Sequence, residues 1–175
     1  LSNLMNLGCK GKILSVVGDD DEGDRIRELA EKQEIDVSGL IKSKDRTSIV
    51  KTRFLAGHQQ LLRTDFERIE DLSEDLAKQL LAKARDLLSG VKVMILSDYG
   101  KGLLSASFLK SLIALANEQD IPVLVDPKGT DYSIYSGADI VTPNKKELSE
   151  STGGMMVDTD EQVIEAAQHL IKTSG

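Results

Sequence analysis

Thr142-Pro143-Asn144, followed by Glu147, places an amide oxygen and a carboxylate three residues apart, a spacing that sets both on one face of a helical first turn. Thr142 is a good N-cap and Pro143 fits the first helical position, so a helix is expected to start there and run to Gly153-Gly154. Oxygen donors beside a positive helix end can hold a hydrated magnesium ion and the phosphates it bridges. The plainer alternative is that Glu147 only favours the helix dipole and Asn144 is surface. Two more signatures carry charge in the same kind of place. Asp126-Pro127-Lys128-Gly129 is either a simple turn or a Lys held where an anionic substrate arrives. Ser97-Asp98-Tyr99-Gly100-Lys101-Gly102 sets Asp98 and Lys101 among glycines whose N–H groups can approach an anion, although turn formation explains those glycines too.

Each signature ends a short apolar run: Val93 to Leu96, Val123 to Val125, and Ala138 to Val141. Runs of this length bounded by turn chemistry predict strands buried on both faces of a parallel sheet. Ligands of open α/β sheets collect at the carboxyl ends of the strands, so the three signatures are expected to share one crevice. Amphipathic helices must alternate with such strands. One is expected near 73–89, with Leu76, Leu80, Leu81, Ala84, Leu87 and Leu88 inward and Asp71 with Glu74 spaced as a capping box. A second, capped by Ser105, turns Phe108, Leu109, Leu112, Ile113 and Ala116 to the sheet. A last helix from about Asp158 is expected to bury Val163, Ile164, Ala167, Leu170 and Ile171, leaving His169 exposed.

The chain opens with what reads as the end of a helix closed by Gly8, then a strand from Lys12 to Val17 ending at Gly18. The acidic run Asp19 to Asp24 reads as a solvated helix start, with Ile26, Leu29 and Ala30 inward. From Thr47 to Asp65 the period changes to two, and Ala56-Gly57-His58 turns the chain into an antiparallel hairpin. Lys51 and Arg53 share one face of it, and Arg63 on the returning strand is placed to join them. Three such cations either bind a substrate phosphate or are ordinary solvated charges of an edge strand. His58 is expected to be exposed in the turn.

The 175 residues suit one domain or most of one. A net charge of -7 with 3% aromatic residues excludes a nucleic-acid surface, which needs basic stripes and stacking rings. The single cysteine, Cys9, excludes an internal disulfide and is expected to be buried or half-buried. No apolar run nears the ~20 residues of a membrane span, so the expectation is a cytoplasmic protein with small-molecule partners and no membrane partner.

Lys51-Thr52-Arg53, Gln59-Gln60-Leu61-Leu62-Arg63-x-Asp65, Ser97-Asp98-Tyr99-x-Lys101-Gly102, Asp126-Pro127-Lys128-Gly129 and Thr142-Pro143-Asn144 together resemble the ribokinase family of sugar kinases. Within it, the resemblance runs to the kinase domains that act on heptose 7-phosphate in lipopolysaccharide-core biosynthesis. It implies an α/β fold with a ribokinase-like, mostly parallel sheet flanked by helices and a small antiparallel β lid hairpin at 46–66. It further implies ATP and Mg2+ as cofactors, with Asn144 and Glu147 at the metal and nucleotide phosphates. Lys51, Arg53, Arg63, Asp98, Lys101, Asp126 and Lys128 are the implied substrate contacts. A sugar phosphate and a nucleotide are then the partners, and a homodimer is left open.

The sequence also departs from the family. His58 stands where Asn is expected. The family's Gly-Gly-x-x-Asn sugar-binding segment and its Gly-Ala-Gly-Asp segment, which carries the catalytic base, do not occur, so the 175 residues are expected to be the central part of a kinase domain and inactive alone. Another sugar or nucleoside kinase of the same fold, or a non-catalytic α/β binding module, are the competing expectations.

Overall fold

Gly39, Leu40 and Ile41 are successive and buried, in a stretch whose apolar residues bunch rather than alternate. They lie in a strand that the sequence pattern did not single out. The computed structural model describes residues 1–174, and the chain divides into two compact units, the first spanning Leu1–Leu87 and the second starting at Leu88.

In the first unit α1 (Ser2–Asn6) closes at Gly8, whose φ of 83° suits the left-handed turn expected there. β1 (Lys12–Gly18) pairs in parallel with β2 (Asp36–Ser43), and α2 (Asp21–Glu31) connects them. α2 begins as the acidic run foretold: Asp20 caps it by accepting the Gly23 N–H at 2.8 Å. Its apolar face is a correction, because Ile26 and Leu29 are exposed and only Gly23 of this helix is buried. A Cβ on Gly23 would stand 2.3 Å from the Gly18 carbonyl oxygen, so the helix meets the strand through a glycine and its larger side chains are carried outward. α3 (Glu74–Leu87) buries Leu76, Leu80 and Ala84, while Leu81 and Leu87 are half-buried. The expected Asp71–Glu74 capping box is replaced by Ser73, whose hydroxyl accepts the Leu76 N–H at 3.4 Å. Cys9 is exposed, not buried, because it lies in the loop between α1 and β1.

β3 (Val50–Ala56) and β4 (Gln59–Phe66) form the antiparallel hairpin, with Gly57 at φ 60° in the turn beside an exposed His58. Nearly all of its residues are exposed. Its root is not: Ser48 is buried, its hydroxyl accepts the Gly18 N–H at 3.0 Å, and its N–H donates to the Asp20 carboxylate at 2.8 Å.

In the second unit β5 (Met94–Ser97), β6 (Val123–Asp126) and β7 (Ile140–Val141) form a parallel sheet in that order. α4 (Ala106–Asn117) crosses from β5 to β6 and buries all five residues assigned to its sheet-facing side. Ser105 is at its N-cap, but the hydroxyl makes no capping bond. A 3-10 turn (Tyr132–Tyr135) precedes β7, and α5 (Lys145–Ser151) and α6 (Asp160–Ser174) follow it. The sheet is buried on one face only. Leu96, Val123 and Val125 are covered, whereas Ile95 is 46% and Ile140 51% exposed with Leu124 half-buried between them, because one register row of side chains has α4 above it and the described residues cover the alternate row only in part.

α6 is rotated from its expected setting. Ala166 and Leu170 are buried, Val163 and Ala167 half-buried, and Ile164 and Ile171 exposed. Small Ala166, with no accessible surface, lets the helix sit closest along that line and leaves the bulkier isoleucines on its flank. Thr159 and Gln162 cap its start: the Gln162 side chain accepts the Asp158 and Thr159 N–H groups at 3.0 and 3.2 Å. His169 is exposed as expected.

Candidate active site at the strand ends

Parallel pairing brings the ends of β5, β6 and β7 side by side, and the backbone fixes them there. The Asp98 N–H donates to the Asp126 carbonyl at 2.9 Å, and the Thr142 N–H donates to the Val125 carbonyl at 2.9 Å. Thr142 is therefore not the helix cap. Its hydroxyl also donates to the Val125 carbonyl, at 3.1 Å, so the residue belongs to the sheet and the helix starts later.

Asn144 takes the N-cap instead. Its side-chain oxygen accepts the Glu147 N–H at 3.0 Å, and Glu147 Oε2 accepts the Asn144 N–H at 3.0 Å, a reciprocal capping box. The two residues proposed from spacing as cation ligands thus also build the helix start. Glu147 Oε1 meets the Lys128 ammonium at 3.2 Å, with the Glu147 side chain only 13% exposed and that of Lys128 53%. The Asn144 N–H first, and the Lys128 ammonium after it, hold the Glu147 carboxyl below the usual carboxylate range against its partial burial.

Tyr135, which no sequence signature marked, links these groups to the first strand end. Its ring is buried, with 2% exposure, and its hydroxyl donates to Asp98 Oδ2 at 2.6 Å while accepting the Lys128 N–H at 3.1 Å. The Lys128 carbonyl is a second contact at 3.1 Å, but a hydroxyl has one proton and the carboxylate is the closer and stronger acceptor. Burial first, and Asp98 after it, push the Tyr135 phenol upward, so it stays protonated. Asp98 Oδ1 accepts the Gly100 N–H at 2.8 Å, so that amide is held inside the loop rather than offered to an anion.

Asp98, Lys128, Asn144 and Glu147 are therefore brought into one bonded series through Tyr135. Asp126 shares the strand end, but its exposed carboxylate makes no hydrogen bond or ion pair among the described residues. Lys101 lies on the Asp98 loop between two glycines of positive φ and is half-buried. Among the described residues no group of three or more His, Cys, Asp or Glu side chains is arranged to hold a metal ion.

Lys51, Arg53 and Arg63 belong to the hairpin of the first unit. Arg53 stands directly across from Arg63 and Lys51 across from Asp65, which puts all three cations on one face as expected. The same face carries acids. Asp65 bonds Lys51 at 3.0 Å and Arg63 at 2.7 Å, and Glu67 bonds Lys51 at 3.2 Å. Arg63, then Lys51, lowers the Asp65 carboxyl from its ordinary range, and Asp65, then Glu67, raises Lys51. Arg53 forms no ion pair among the described residues.

Residues 2–175 match the pfkB family carbohydrate kinase. The Bifunctional protein HldE of Paramagnetospirillum magneticum is 47% identical over 174 residues, covering 99% of this chain and 35% of the relative. That of Campylobacter fetus subsp. fetus is 44% identical over 161 residues, covering 92% of this chain and 35% of the relative. The chain thus spans about a third of the length of the curated relatives it matches. Among solved structures, phosphofructokinase-2 from Escherichia coli in complex with potassium superposes with a TM-score of 0.76 at 21% identity, over 99% of this chain and 55% of that one. Arabidopsis thaliana ribokinase complexed with ribose and ATP gives 0.72 at 18% identity, over 98% and 55%. At these identities the structures establish a ribokinase-like fold. No helix among the described residues is long and apolar enough to cross a membrane.

Proposed function

The chain belongs to the pfkB family of carbohydrate kinases, and we propose that the intact protein transfers the γ-phosphoryl of ATP to O1 of D-glycero-β-D-manno-heptose 7-phosphate. That reaction would be a step toward ADP-heptose and the lipopolysaccharide core, in the cytoplasm. Identity of 47% to an HldE protein along 99% of the chain supports this acceptor over those of the more distant kinases. The observation that carries the kinase reading is the bonded series Asp98–Tyr135–Lys128–Glu147–Asn144 across three parallel strand ends. Phosphoryl transfer asks a protein mostly for positioning and for charge facing the moving phosphoryl group.

In this mechanism Lys128 and Lys101 supply positive charge toward phosphate oxygens, and Asp98 and Asp126 hold acceptor hydroxyls. Asn144 and Glu147 would hold Mg2+. Their donors are hard oxygens, two of the roughly four lone-pair sites of the Glu147 carboxylate remain open, and magnesium keeps several of its own waters, so the residues fit a hydrated ion. When bound, the ion would supply positive charge that neutralises nucleotide phosphate oxygens. Lys51, Arg53 and Arg63 would take the acceptor's distal phosphate, and the hairpin at 46–66 would act as a lid that excludes water. We assign the 175 residues to the central part of the kinase domain and expect them to be inactive alone, the base and anion hole lying in other segments. A homodimer that covers the hairpin's apolar face, with Phe54, Leu62 and Phe66 exposed, is the assembly proposed, and light scattering checks it.

The test is a coupled ADP-release assay on the intact protein with magnesium ATP and a panel of sugars. Heptose 7-phosphate is expected to be preferred by at least tenfold in kcat/KM. Preference for an unphosphorylated sugar would move the assignment to another kinase of the fold, a reading that the Asp65 pairing of Lys51 and Arg63 favours. No release with any acceptor would leave a binding module.

A further inference from the structure

Tyr135 touches two of the three strand-end loops with a single atom. Its hydroxyl bonds the Asp98 carboxylate at 2.6 Å and the Lys128 N–H at 3.1 Å, and the ring beneath it is 2% exposed. The ring packs edge-on against buried Tyr132, with centroids 5.7 Å apart, in a close-packed interior. Lys128 by contrast has a four-carbon stem and a side chain 53% exposed, so nothing in the stem itself fixes where its ammonium stands. Two contacts set it: Tyr135 accepts the Lys128 backbone N–H at 3.1 Å, and Glu147 accepts from the ammonium itself at 3.2 Å. Gly100 runs alongside the same stem, where a Cβ would make van der Waals contact with Lys128 Cγ at 3.4 Å, and the Gly100 N–H is itself held by Asp98.

We propose that Tyr135 is a positioning residue for phosphoryl transfer, acting through Lys128 by locking the Asp98 loop and the Lys128 backbone to one buried hydroxyl. The proposal rests on the kinase reading above. It differs from a merely structural role in one consequence. If Tyr135 works through Lys128, its removal matters only while Lys128 is present to be positioned.

The experiment is a double-mutant cycle in the intact protein, with Tyr135→Phe, Lys128→Met and both, assayed with magnesium ATP and sugar-phosphate acceptors. Y135F is expected to lower kcat at least tenfold with KM for the acceptor nearly unchanged, and to add less than twofold in the K128M background. Tyr132→Phe, which removes a buried hydroxyl with no hydrogen-bond partner among the described residues, serves as the control and is expected to leave kcat in place. Should Y135F not fold, p-aminophenylalanine at position 135 keeps the ring and a donor to Asp98 but accepts the Lys128 N–H poorly, and it should show the same dependence on Lys128. An active wild type with Y135F within twofold of it, or with losses that multiply independently, overturns the positioning role and leaves the kinase reading standing. A wild type that phosphorylates no sugar or sugar phosphate overturns both.

Discussion

The hairpin and the strand-end cluster both gather charge, but they hold it in opposite ways. On the hairpin, Lys51, Arg63, Asp65 and Glu67 pair with one another on a ribbon exposed along its length. Partly exposed pairs of this sort are worth ~0–1 kcal/mol each and are screened by salt. At the strand ends, the pairing of Lys128 with Glu147 is tied to a capping box and to a buried phenol. One region is a set of charges free to be re-paired by an arriving anion, and the other is fixed before any ligand comes. The contrast teaches that preorganisation here comes from backbone contacts and burial rather than from the number of ion pairs.

The largest effect that would sharpen this contrast is expected from Glu147→Gln in the intact protein. The amide keeps the shape and can still accept the Asn144 N–H, while the charge that faces Lys128, and that is proposed to face the metal, is lost. Turnover should fall on the order of 10²-fold with the melting temperature nearly unchanged. Steady-state kinetics across a magnesium titration checks it, and an unaltered magnesium dependence would remove Glu147 from the metal site.

Next in size is the hairpin. Arg53→Ala should weaken sugar-phosphate binding by about ten- to a hundredfold, the ~1.5–3 kcal/mol of a charged hydrogen bond, and leave ATP nearly untouched. Arg63→Ala should cost less, since Asp65 already occupies that guanidinium. Calorimetry with each ligand separates the two arginines, and equal losses for both substrates would break the distinction between the regions.

A smaller effect is expected at the hairpin's root. The Ser48 N–H first, and the Ser48 hydroxyl after it, hold the Asp20 carboxyl below its ordinary value of 3.8. A depressed folded-state value means that the unfolded chain takes up the proton first. The stability Asp20 supplies is thus complete above about pH 4 and is lost as the pH falls through the lower folded value. The stability difference between wild type and Asp20→Asn, followed by denaturant unfolding from about pH 5 to about pH 2, should shrink toward the acid end. A difference that stays constant would show that the anchor does not depend on the charge.

The smallest change is expected from Tyr132→Phe. The Tyr132 hydroxyl is buried with no hydrogen-bond partner, and burial first, then the Glu147 charge, pushes its phenol up to about 12. Ser151, which pulls the other way, donates its own proton to the Leu148 carbonyl at 3.1 Å. Removing an unbonded buried hydroxyl should be neutral or stabilising by up to ~1 kcal/mol. Thermal unfolding reads it, and a loss above that size would reveal a partner for the hydroxyl.

Strands and helices whose apolar residues repeat in period were legible in the sequence, as were the hairpin and the three strand-end signatures. β2 was not, because its buried residues bunch around Gly39, where the strand meets neighbours closely: a Cβ there would lie 2.4 Å from the Ile13 carbonyl oxygen. Period also identifies which residues share a face without saying which of two adjoining faces seats, and so Ile164 and Ile171 of α6 were placed inward when Ala166 and Leu170 are. Thr142 and Asn144 are both good caps, and only the sheet's claim on Thr142 decides between them. Tyr135 sits in a 3-10 turn with no period at all, and its partners are 37 and 7 residues away. The single available signal was a pair of tyrosines in a chain with so few aromatic residues.

The Tyr135 bond to Asp98 also has a place in time. It closes a span of 37 residues and can form only once β5 and β6 have paired and α4 has folded back between them. If that closure follows the main barrier, its removal is felt on the way out rather than on the way in. Y135F should therefore raise the unfolding arm of the chevron and leave the folding arm where it is, so that the hydroxyl which sets the lysine also acts as the latch that keeps the second unit from opening.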